Sequence, residues 1–72
     1  MDYLLPVGTV KFFNGIKGFG FITPDGGGKD DFVHVDAVAK AGMSTLKLRQ
    51  RIAYDLVTDA RGKDTAVNLR RT

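Results

Sequence analysis

The chain has 72 residues, no Cys and a single His, which points to one domain and excludes disulfides and both thiolate and multi-histidine metal sites. Eleven Lys and Arg stand against eight acids, all of them Asp, for a formal charge of +3. That balance suits a polyanionic partner, and Asp in place of Glu, with nine Gly, favours short strands and many turns over long helices.

Residues 1–6 (Met1-Asp2-Tyr3-Leu4-Leu5-Pro6) have no basic start, and their apolar run is too short for a signal peptide or a membrane span. They predict a short extension ahead of a domain at 7–72, in a soluble, cytoplasmic protein. Residues 7–13 are a β-branched and aromatic run closed by the turn pair Asn14-Gly15. Residues 18–23 predict a second strand, ended by Pro24-Asp25-Gly26-Gly27-Gly28, which cannot hold a strand. A third strand is expected at 32–35. One or two helical turns follow at 36–42, with Asp36 as N-terminal cap and Gly42 as left-handed stop. Residues 43–50 read as irregular. A fourth strand at 51–58 alternates Ile52, Tyr54 and Leu56 with Ala53, Asp55 and Val57. After a loop at 59–64, a fifth strand is expected at 65–69, and Arg70-Arg71-Thr72 reads as a basic tail.

Five short strands and one short helical turn predict an all-β fold. A flat sheet of this size would expose one face and two edges, so a closed barrel is expected. A five-stranded Greek-key oligonucleotide-binding (OB-fold) barrel and an SH3-like barrel both fit.

All five Phe fall between residues 12 and 32. Strand alternation puts Phe19 and Phe21 on one face, opposite Gly18, Gly20 and Ile22, and Phe32 and His34 on one face, opposite Val33 and Val35. Gly and Ile suit the tight interior of a small barrel, and Val is a better core residue than His. The aromatic residues are therefore expected outside, as one patch flanked by Lys11 and Lys17. Exposed rings beside cations suit a single nucleic-acid strand, with bases stacking on rings at about 1–3 kcal/mol each and phosphates meeting the cations. Phe13 reads as core more than Phe12, although the first strand gives no clean parity. The competing arrangement buries the rings, at the cost of exposing Ile22, Val33 and Val35.

Gly8-Thr9-Val10-Lys11-Phe12-Phe13-Asn14, then Lys17-Gly18-Phe19-Gly20-Phe21-Ile22, then Asp30-Asp31-Phe32-Val33-His34 resembles the cold-shock domain family. The likeness runs from about Val7 to Leu69. Its first half also resembles the ribonucleoprotein motif of RRM domains, but that motif wants an aromatic where Pro24 stands, and the chain has no room for the two long RRM helices. The cold-shock resemblance implies an OB-fold barrel that binds single-stranded RNA and DNA and acts as an RNA chaperone or transcription antiterminator. It implies a binding face of Lys11, Phe12, Lys17, Phe19, Phe21, Phe32 and His34, with Val35, Met43 and Arg61 also at ligand-contacting positions. The family usually has Trp where Phe12 stands, an aromatic where Val35 stands, often one at Met43, and an apolar residue at Asp31. These departures imply weaker binding than is typical, by about 1–3 kcal/mol per lost platform.

No cofactor, metal, membrane or small-molecule substrate is expected, and Gly26-Gly27-Gly28 is a turn without the Lys-Ser/Thr of a phosphate loop. Catalysis is not expected either, because the Asp residues near His34 in sequence fit turn and cap roles. The alternative to nucleic-acid binding is a small barrel whose aromatic patch binds a protein or pairs two copies by strand exchange. A monomer is the expected state.

Overall fold

A computed structural model describes residues 6–72. The expected extension lies, but for Pro6, outside the described residues. The chain forms β1 (Val7–Asn14), β2 (Phe19–Pro24), β3 (Asp31–His34), the helix α1 (Val35–Lys40), β4 (Arg51–Thr58) and β5 (Asp64–Arg71). The strands close in the order β1-β2-β3-β5-β4, with β4 returning to β1. All neighbours are antiparallel except β3 and β5, which pair parallel through Phe32–Thr65 and Val33–Ala66. This is the OB-fold barrel.

Its interior is packed by Val10, Ile22, Val33, Ile52, Tyr54 and Ala66 from the five strands, closed below by Val38, Met43, Leu46 and Leu69. Gly20 belongs inside because nothing larger fits: a Cβ there would run into the Phe12 carbonyl and the Phe13 ring. The burial of Ile22 and Val33, both at 0% exposure, turns Phe21 and Phe32 outward, as alternation requires.

Several boundaries differ from the sequence reading. Gly18 lies in the β1–β2 turn with φ +83°, so β2 starts one residue later. Asp31 joins β3. Val35, expected as a core residue of the third strand, is instead the first residue of α1 and only half-buried. The cap is His34 rather than Asp36: the Asp36 backbone N–H donates to His34 Nδ1 at 3.1 Å. Gly42 stops the helix as expected, with φ +80°. Arg70 and Arg71 are strand rather than tail, pairing with Ala53 and Ile52 to complete the barrel. Leu56 is 40% exposed because β1 pairs with β4 only as far as Ala53 and leaves its later residues uncovered.

Candidate nucleic-acid interface

The outer wall is organised by strand register. Phe12 is paired with Phe21, Phe21 with Phe32, Phe32 with Thr65 and Thr65 with Val57, so one row crosses all five strands. Phe19, paired with His34, stands in the next row. The rings touch one another: Phe19 lies near-parallel to Phe32 at a centroid distance of 5.9 Å, and Phe21 meets Phe32 edge-on at 5.9 Å. Phe12 meets Phe19 at 6.0 Å. Contacts of this kind hold the rings in place while leaving Phe12 exposed and the other three half-buried.

Phe12 reaches this row through a β-bulge. Val10 pairs with Ile22, but Phe12 pairs with Phe21, so Lys11 is an extra residue on β1. Two consecutive side chains, Lys11 and Phe12, therefore point to solvent, while Val10 and Phe13 pack on the core.

The cations surround the rings unevenly. The Lys11 ammonium is 2.9 Å from Asp30 Oδ2, so a phosphate must compete with that carboxylate. Lys17 is exposed in the tight β1–β2 turn, where its backbone N–H and that of Ile16 donate to Asn14 Oδ1. Arg61 and Lys63, in the β4–β5 loop, border a hollow with Phe21, Phe32 and Lys29. The Lys63 ammonium stands 4.0 Å from the Phe32 ring centroid, a cation–π contact. The sequence reading missed Lys63 and Lys29, and the crowding of Lys63 beside Arg61 was the one available signal. His34 is exposed beside Phe19. With Nδ1 accepting from the helix, its neutral ring carries the proton on Nε2, as a donor.

Met43 departs from the expected site. It is only 8% exposed and packs in the core below α1, its N–H donating to the Val38 carbonyl at 3.1 Å. The segment after Gly42 turns inward here, so the thioether fills the barrel floor instead of facing the rings. Asp31, next to Phe32, is also buried, at 4% exposure. Its carboxylate accepts a 2.6 Å hydrogen bond from the Tyr54 hydroxyl. Burial, then that hydrogen bond and the Asp31 charge, push the Tyr54 phenol well above its ordinary range. Among the described residues no three metal-ligating side chains come together.

The arrangement offers flat apolar platforms with cations at their margin. Residues 7–72 match the family model of the "cold-shock" DNA-binding domain. The chain is 56% identical over 64 residues to cold shock protein CspA of Rhizobium meliloti (strain 1021), covering 88% of this chain and 93% of that one. It is 54% identical over 67 residues to the probable cold shock protein y4cH of Sinorhizobium fredii, covering 92% and 97%. It is 48% identical over 59 residues to cold shock-like protein CspE of Escherichia coli (strain K12), covering 82% and 86%.

Proposed function

The chain belongs to the cold-shock domain family of nucleic-acid-binding, non-enzymatic proteins, and from that premise we propose that it binds single-stranded RNA and DNA by stacking bases on its outward phenylalanines. The observation that supports this reading is the register row of Phe12, Phe21 and Phe32, with Phe19 packed against it. Duplex bases are stacked on one another and offer no free face to such a row, whereas splayed bases of a single strand do. Lys11, Lys17, Arg61 and Lys63 meet the phosphates, and His34 donates from Nε2 to a base or phosphate oxygen.

Such a protein works as a passive RNA chaperone or transcription antiterminator in the cytoplasm, as a monomer. It holds bases unpaired and so competes with hairpins. A base-pair step is worth roughly 1.4 kcal/mol and each stacked ring about 1–3 kcal/mol, so only marginal structures open. With Met43 in the core and Val35 on a helix, the platform is Phe12, Phe19, Phe21 and Phe32.

The test is binding of a fluorescent single-stranded pyrimidine heptamer at physiological salt to the wild type and to Phe19→Ala/Phe32→Ala, with a duplex control. Removing two platforms weakens binding at least about thirty-fold if each is worth at least ~1 kcal/mol. Unchanged binding by the folded double variant would refute the stacking face.

A further inference from the structure

A second cluster of cations lies on a groove that contains none of the rings. Its walls include Met43, Lys47, Leu48, Arg49, Gln50 and Arg71, and no carboxylate lines it among the described residues. The Lys and Arg ion pairs formed among the described residues use Lys11, Arg51 and Arg70, so Lys47, Arg49 and Arg71 stand outside them. Asp25, the acid held by neighbouring Arg51, is already engaged by two hydrogen bonds of 2.6 and 2.7 Å.

The segment 43–50 is irregular as expected, and its end, Lys47 to Gln50, is a clamped turn. The Gln50 N–H donates to the Lys47 carbonyl at 3.0 Å, and the Gln50 side-chain oxygen accepts from the Lys47 N–H at 2.9 Å. The Arg49 N–H donates to the Val10 carbonyl and the Val10 N–H to the Gln50 carbonyl, both at 2.8 Å. Arg49 sits in this turn with φ +68°, where glycine is the usual occupant. A cationic residue thus occupies a position whose backbone disfavours any side chain, on a hydrogen-bonded turn, with exposed Leu48 beside it. Arg71, paired with Ile52, lies at the far end of β5 from Thr65, which is in register with Phe32.

We propose that Lys47, Arg49 and Arg71 form a second nucleic-acid site that grips only the phosphodiester backbone, so that it accepts paired strands as readily as unpaired ones. Three exposed positive groups line the groove with no carboxylate among the described lining residues, so they can meet phosphates, and no aromatic ring stands there as a platform for a base. Because its ligand needs no unstacked base, the site stands or falls independently of the ring face.

The test uses a duplex of about 20 base pairs and three proteins: wild type, Lys47→Gln/Arg49→Gly/Arg71→Gln, and Phe19→Ala/Phe32→Ala. With three phosphates neutralised, wild-type duplex binding is measurable near 20 mM salt and falls roughly 200-fold by about 150 mM. The triple variant loses at least about tenfold at the lower salt while keeping heptamer binding within about threefold, and the ring variant binds duplex as wild type does. Arg49→Gly relieves the turn's backbone, so a melting curve showing an intact triple variant accompanies the comparison. Duplex binding that survives in the triple variant, or that is absent from the wild type at low salt, overturns the site. Heptamer binding indifferent to the ring substitutions would refute the stacking face and leave this site standing.

Discussion

Asp31 and Tyr54 illustrate what one polar pair does in a core this small. Each is buried, each would be costly alone, and their 2.6 Å hydrogen bond satisfies both. Among the described residues no buried side-chain nitrogen or oxygen lacks a partner. Tyr54→Phe is expected to cost about 1–3 kcal/mol by orphaning the carboxylate, and Asp31→Val a similar amount by orphaning the hydroxyl. The double variant Asp31→Val/Tyr54→Phe should return to within about 1 kcal/mol of wild type, and urea melts of the four proteins read the cycle directly. The raised phenol sets an alkaline limit as well. Its folded value lies above the ordinary one, so its stabilisation is complete below about pH 10 and fades as pH climbs beyond it.

At the scale of the elements, β-bulges decide which side chains reach the surface. Lys11 shifts β1 by one residue and delivers Phe12 to the ring row. Asn68, at φ +51°, is the matching extra residue on β5, and its side chain and that of Arg70 both donate to Asp55. Gly20 lets β1 and β2 approach beneath the rings. Gly20→Ala should destabilise the fold by several times the ~1 kcal/mol typical of a point substitution, since the clash is with backbone and a fixed ring. Thermal melting with and without oligonucleotide would measure it. The outward turn of Phe21 and Phe32 was legible in the sequence because Gly20, Ile22 and Val33 leave only one face for the core. The bulge at Lys11 was not, since one extra residue leaves no mark on composition. The cap by His34 was equally hidden: Asp36 is the better capping residue by type, and only the early end of β3 brings the imidazole to the first free N–H of the helix. The contact of Lys63 with Phe32 is not legible in the sequence either, because it depends on how the β4–β5 loop folds back.

At the scale of the whole barrel, carboxylates among the described residues are spent on structure and cations are left over. Asp25 is bound by Arg51, Asp30 by Lys11 and Asp55 by Asn68 and Arg70, while Asp59 accepts from the backbone of its own loop. Hydrogen bonds from Arg51 hold the Asp25 carboxyl below the ordinary carboxylate range, and those from Asn68 and Arg70 do the same for Asp55. Folded values below the unfolded one stabilise the protein above about pH 3.9, and this contribution is lost as pH falls through the carboxylate range. Thermal melts across acid pH should therefore show the melting temperature declining modestly through that window, with a shallower dependence in Asp55→Asn.

The parallel pairing of β3 with β5 has a consequence for how the protein is made. Phe32 and Val33 find their outer neighbours, Thr65 and Ala66, in the barrel strand that comes last in chain order. Until the ribosome has released that strand, the row of rings has no closed wall behind it. A nascent chain ending before residue 64 should stay unfolded, with flat near-ultraviolet dichroism, and neither melt nor hold RNA. The outer wall is thus completed in a single late step, once the fifth strand is free to pair.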